Sequence, residues 1–189
     1  MPGSHRPFTA AALAALLAWG SLAALRSAGA GGELFPVAPG YAVPADSLIP
    51  PGAMGKSIRR GRAIMMAAGD SLGRHVGNRL TCTNCHREGG TRASSGPWVG
   101  SFASFPQYNA RAGRVIRIED RINECLRRSL NGQPLGEGSR EMTDMVSYLA
   151  FLSGGVAHGP RAPWLGYRRI PSRPGHADEG ARIFTAECA

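Results

Sequence analysis

Apolar residues recur at helical spacing in three stretches of the chain, separated by segments broken with glycine and proline. From Lys56 to about Ala68, Ile58, Met65 and Met66 can share a buried stripe with arginines facing outward, although Gly61 and Gly69 weaken a helix there. A second helix is predicted to begin near Glu119 and stop at Gly132, with Glu119 and Asp120 at the positive end of its dipole. A third follows Ser139, a good capping residue, and runs to about Ser153 ahead of Gly154-Gly155. Its apolar face is Met142, Met145, Val146, Leu149 and Leu152. Residues 69–105 read as irregular, and Val115 to Ile118 as a short extended piece. Nothing alternates strongly enough for a sheet, so the predicted class is all-α with long irregular loops.

The two ends add organisation. His5 and Arg6 precede an apolar run from Phe8 to Leu25, and Ala28-Gly29-Ala30 supplies a cleavage pattern. Residues 1–30 are therefore expected to be an export signal, giving a periplasmic protein with no stable membrane span once it is removed. Residues 31–54 read as an extended linker or arm, residues 55–155 as the main domain, and residues 156–175 as an interdomain linker. The formal charge is +9, and Lys56 is the only lysine. Such a surface attracts anions. Nucleic acid is excluded as a partner, because no RNP, zinc-finger or helix-turn-helix pattern accompanies the charge.

The chemistry lies in Cys82-Thr83-Asn84-Cys85-His86. Two thiols at this spacing can add to the vinyl groups of a haem, and the adjacent imidazole is then held under the iron. A structural zinc site needs a second close Cys/His pair, and only the distant Cys125 and Cys188 remain. A thioredoxin-like pair needs a βαβ setting. A disulfide closing so short a loop stabilises little and leaves His86 unexplained. The expectation is one complete haem c site in a cytochrome c-like domain, bound through Cys82, Cys85 and His86.

The second axial position stays open on these grounds. Met142, Met145, Met65, Met66, His75 and Cys125 are all candidates. Methionines at helical spacing serve readily as core filler. Arg121, Cys125 and Ser129 lie one turn apart on one face of the second helix, and an arginine beside a cysteine favours its thiolate. With Arg111 and Arg114 from the preceding loop, these groups can frame a small doubly charged oxyanion.

A longer pattern surrounds the motif. It runs Gly77-Asn78, Leu80, Cys82, Asn84-Cys85-His86, Gly90-Thr91, Phe105-Pro106 and Tyr108. It continues through Arg111, Gly113, Glu119-Asp120-Arg121-Ile122-Asn123, Cys125, Ser129, Asn131-Gly132, Glu141-Met142 and Tyr148. In this order the chain resembles the dihaem thiosulfate dehydrogenases, relatives of the cytochrome subunit of the Sox system, over about residues 55–155. The resemblance implies oxidation of thiosulfate to tetrathionate, or the reverse, with electrons passed to a second haem or an acceptor cytochrome. It implies His86 and Cys125 as the iron ligands, with Arg111, Arg121 and Ser129 lining the pocket and Met142 as scaffold. Residues 176–189 resemble the opening of a second haem domain, truncated after Cys188-Ala189, so that Cys188 stands for an incomplete second site. Leu130-Asn131-Gly132-Gln133 departs from relatives that carry methionine and lysine there. The alternative is a non-catalytic electron-transfer cytochrome with methionine on the iron.

Overall fold

A computed structural model describes residues 38–168, 171–172 and 174–188; the export-signal reading of residues 1–30 lies outside them. Helices carry the core. Among the described residues the main ones are α1 (Gly52–Met66), α2 (Ala68–Leu72), α3 (Cys82–Cys85), α4 (Ile118–Arg128), α5 (Arg140–Leu152) and α6 (Ala177–Glu187), with a short kinked turn at Arg87–Gly90. Two three-residue strands, β1 (Gln107–Asn109) and β2 (Arg114–Ile116), pair antiparallel with Tyr108 opposite Val115. Of the extended piece anticipated from Val115 to Ile118, Val115 and Ile116 lie in this ribbon, whereas Ile118 already opens α4. Among the described residues, no helix is long and apolar enough to cross a membrane.

The three long helices follow the apolar stripes. Ile58 and Met65 of α1 are buried with Met142, Met145, Leu149 and Leu152 of α5, and with Ile118, Ile122 and Leu126 of α4. Met66, expected in the same stripe, is instead 45% exposed, because the helix ends there and turns Met65 inward. Ser139 caps α5, its hydroxyl accepting the Met142 N–H at 3.2 Å. At the start of α4 the Asp120 carboxylate accepts the Arg117 N–H at 2.9 Å, which satisfies a free donor at the helix end. The helix stops at Arg128, short of the expected Gly132. Asn78 donates to the Ser129 carbonyl at 2.9 Å, and Asn131 turns into the left-handed region at φ 49°.

The packing of α1 on α5 turns on two residues. A Cβ at Gly61 would stand 1.9 Å from the Asp144 carbonyl oxygen, so the backbones approach closely only because position 61 has no side chain. The glycine that weakens the helix in sequence terms is the contact point in space. Beside it, buried Asp144 accepts two hydrogen bonds from Arg60 at 2.7 Å each and one from Ser57 at 2.6 Å. The Arg60 bonds, then Ser57 and Arg140, hold the Asp144 carboxyl below its usual 3.8 against the opposing pull of burial.

The segments flanking the helical domain also pack. Ile49 is buried and Asp46 pairs with Arg62 at 2.8 Å. Ala162 is buried, and Trp164 donates its indole N–H to the Val99 carbonyl at 2.8 Å. Residues that read as linkers therefore make tertiary contacts.

Gly61→Ala gains about 1 kcal/mol of helix propensity but forces a backbone clash costing about 1–3 kcal/mol or more. The clash wins, and urea unfolding is expected to give a lower midpoint for the variant. Asp144 makes a second expectation. A carboxyl whose folded pKa is depressed stabilises fully above its unfolded pKa, and that stabilisation is lost as pH falls through the folded value. Asp144→Asn should therefore cost about 1–3 kcal/mol at neutral pH and flatten the loss of stability on acidification, measured by denaturant titrations down to about pH 2. An unchanged acid profile in the variant would refute this account.

Candidate functional site

One turn of helix presents the motif. Thr81 precedes α3, and its N–H is accepted by the Asn84 side chain at 2.6 Å, while its own hydroxyl oxygen accepts the Ala68 N–H at 3.1 Å. The His86 N–H closes the turn on the Cys82 carbonyl at 2.9 Å. Cys82, Cys85 and His86 thereby share the wall of a cavity with about 1180 Å³ of open space, its mouth included. Neither thiol is in a disulfide.

His86 is held by its far nitrogen. Nδ1 lies within hydrogen-bond distance of the Gly96 carbonyl, which can only accept, so Nδ1 carries the proton and Nε2 is left with its lone pair free. Trp98 packs against the ring at 5.0 Å between centroids, and Tyr167 at 6.4 Å. Trp98 meets Tyr148 edge-on, and the Tyr148 hydroxyl donates to the Gly89 carbonyl at 2.9 Å. Burial, helped by the Arg121 charge, pulls the His86 pKa down against the Gly96 hydrogen bond, which favours the neutral imidazole that metals bind.

Helix α4 supplies Arg121, Cys125 and Ser129 to the same cavity. Arg121 is tied down, donating to Glu124 at 3.1 Å, and Glu124 also accepts from Asn109 of β1 at 3.3 Å. Arg121 pulls the Cys125 thiol pKa down as expected, but burial pushes it up more strongly, with Glu124 and Cys85 adding to the rise. Cys82 is pushed up to about 11, chiefly by burial. Arginine alone therefore does not make Cys125 a thiolate; binding to a metal ion would.

Other candidates are separated from the cavity. Arg111 is exposed on the β1–β2 turn, where its backbone N–H bonds the Asn109 side chain, and it does not line the cavity. Cys188 is exposed at the end of α6 and does not line it either. His75 bonds the Gln133 carbonyl at 3.0 Å, and Met142 and Met66 point elsewhere. Of the axial candidates, Cys125, Met65 and Met145 line the cavity. Sequence reasoning missed Trp98, Glu124, Arg161 and Tyr167. Trp98, Arg161 and Tyr167 come from loops and a segment read as linker, with no spacing that marks them, whereas Glu124 lies on α4 and its i,i+3 spacing from Arg121 could have found it.

The residues fit a haem c. Two unpaired thiols and a neutral imidazole sit one turn apart at the edge of a cavity whose other walls include Ile122, Leu126 and Leu149. Comparison with known proteins agrees. A family model described as the SoxA/TsdA cytochrome c domain matches residues 74–157. These residues are a SoxA/TsdA cytochrome c domain. Such a domain implies haem c. The chain is 41% identical over 155 residues to a thiosulfate dehydrogenase of Allochromatium vinosum, covering 77% of this chain and 56% of that protein. It is 35% identical over 152 residues to a thiosulfate dehydrogenase of Psychrobacter arcticus, covering 80% and 46%. The chain spans about half the length of these curated relatives. Among solved structures, the as-isolated thiosulfate dehydrogenase TsdBA of Marichromatium purpuratum superposes with a TM-score of 0.69 at 26% identity, covering 78% of this chain and 34% of that one.

Covalent attachment through both thiols predicts a specific result. In alkaline pyridine the reduced protein should give the spectrum of a haem with both vinyls saturated, and Cys85→Ser should shift its α band to the red. An unshifted band in Cys85→Ser would exclude a thioether at that position.

Proposed function

We propose that this chain oxidises thiosulfate, joining two molecules into tetrathionate in a cavity where Cys82 and Cys85 would hold a haem c covalently and His86 and Cys125 would bind its iron. The observation that carries this reading is the convergence of Arg121, Cys125 and Ser129 on the cavity that holds His86. When bound, the haem supplies a one-electron acceptor, used twice for each tetrathionate.

The protein's own groups do the rest. Thiosulfate is a dianion, and bringing two together is repulsive; Arg121, fixed by Glu124 and Asn109, offsets that repulsion with charge-assisted hydrogen bonds. Ser129 contributes a hydroxyl donor. Arg111 on the exposed turn acts at longer range as a steering charge. Apolar walls limit water around the reacting sulfurs.

Cys125 is the covalent way-station. Its thiolate joins the terminal sulfur of one thiosulfate as two electrons depart, leaving Cys–S–S–SO₃⁻. The terminal sulfur of a second thiosulfate then attacks the outer sulfur of that disulfide, releasing tetrathionate and returning the thiolate. The electrons pass to a second haem domain, of which residues 176–189 are the opening, or to an acceptor cytochrome. The same reading makes the chain exported and periplasmic.

Met65 and Met145 also reach the cavity, which sustains one competing reading, an electron-transfer cytochrome with thioether ligation. Ferric holoprotein distinguishes the two: a low-spin thiolate signature in electron paramagnetic resonance belongs to the enzyme, and a near-infrared methionine-to-iron band to the carrier.

Cys125→Met is expected to raise the haem midpoint potential and reduce thiosulfate-dependent reduction of ferricyanide to background. Arg121→Ala should lower kcat/KM for thiosulfate about 10- to 100-fold, the loss of one charge-assisted hydrogen bond. Tetrathionate formation at the wild-type rate by Cys125→Met would remove the covalent role.

A further inference from the structure

The acceptor that orients His86 belongs to a loop with little of its own to hold it. Between Ala93 and Pro97 the backbone hydrogen bonds of the described residues, His86 aside, run to a single segment far along the chain. The Gly96 N–H donates to the Gly166 carbonyl at 3.0 Å, and the Arg168 N–H donates to the Ser94 carbonyl at 3.2 Å. Ser95 and Tyr167 are the antiparallel partners between these bonds.

That segment is anchored independently. Ala162 is buried, the Trp164 indole bonds the Val99 carbonyl, and Tyr41 meets Trp164 edge-on at 5.7 Å. Arg161 donates to the Leu165 carbonyl at 3.0 Å and stiffens the turn between the two attachment points. Gly96 is enclosed on every side. Its amide is taken by Gly166 and its carbonyl by His86. A Cβ there would stand 2.9 Å from the Tyr167 ring and 3.2 Å from His86 Nδ1, and φ is +60°. Only glycine suits this position.

We propose that residues 161–168 are a clamp on the iron-binding histidine: by pairing with Ser94–Gly96, they hold the Gly96 carbonyl against His86 Nδ1 and so set the strength and orientation of the imidazole as a ligand. This rests on the reading of His86 as a haem ligand. The physical link is direct. A firm Nδ1–H···O=C bond fixes the ring plane and raises the basicity of Nε2, which stabilises ferric over ferrous iron and lowers the midpoint potential. Gly166, Tyr167 and Arg168 act through Gly96 and touch no reacting atom, so they are positioning residues.

A pair of substitutions at one site isolates the backbone bond. Arg168→Ala keeps the N–H that Ser94 accepts; Arg168→Pro removes it, while leaving Tyr167 in the extended conformation that it already has. Both variants and the wild type are prepared as full-length haem-loaded protein, with haem content read from the pyridine spectrum. Arg168→Pro is expected to show a higher midpoint potential than Arg168→Ala. Exchange of its His86 ring N–H with D₂O, followed by NMR of the reduced protein, should be about tenfold faster. Equal potentials and equal exchange rates in the two variants, with haem in place, would overturn the clamp. Should Arg168→Pro fail to fold, Gly166→Ala tests the same pairing, because φ at Gly166 is +114°, strained for alanine. Wild-type potential and exchange in a folded Gly166→Ala would likewise overturn it. Failure of the haem reading looks different: the wild type would carry no covalent haem, or a His86→Ala variant would hold its haem with an unchanged spectrum.

Discussion

An imidazole offers two nitrogens, and a protein that commits one to a metal must give the other a fixed acceptor, or the ring will rotate and change tautomer. Here that acceptor is the Gly96 carbonyl. Much of the irregular half of the structure is arranged around it. The turn at Gly89–Gly90 brings Trp98 against the ring, with the Trp98 N–H donating to the Gly90 carbonyl at 2.7 Å. Tyr148 of α5 supports Trp98 from behind and reaches the Gly89 carbonyl with its hydroxyl. The helical core therefore reaches the imidazole through two aromatic rings, and residues 161–168 reach it through one glycine.

Electrostatics in the cavity are a contest between burial and charge. Arg121 acts on both His86 and Cys125, lowering each pKa. For the imidazole it works with burial toward the neutral form, and for the thiol it works against burial and loses. Glu124 explains part of the outcome, since it takes up some of the Arg121 charge while fixing where that charge points. A guanidinium in a fixed place serves anion recognition better than a freely swinging one, because less side-chain entropy is lost when the anion arrives.

The scaffold is economical in another sense. α1 and α5 touch backbone to backbone at Gly61 and Asp144, and the same aspartate gathers Arg60 and Ser57 into a buried polar cluster. Close approach leaves little room for slippage. It fixes the helix that carries Met145 and Leu149 into the cavity wall.

Local rules were sufficient for a good part of this. The stripes of α4 and α5, the Ser139 cap and the motif Cys82–His86 are set by residues near one another in the chain, and short-range physics decides them: helical periodicity, an unpaired N–H at a helix end, two thiols one turn apart. The grouping of Arg121, Cys125 and Ser129 is of the same kind, because a helix face is a local property. Tertiary structure decided what depends on distant backbone. It made Gly61 a contact instead of a weakness, left Arg111 outside the cavity, and converted residues 161–168 from linker to strap. It also reversed the expected balance at Cys125, since burial is a sum over surroundings that no spacing of residues encodes. Periodicity reports which side of a helix is apolar; only the packed chain determines what faces it.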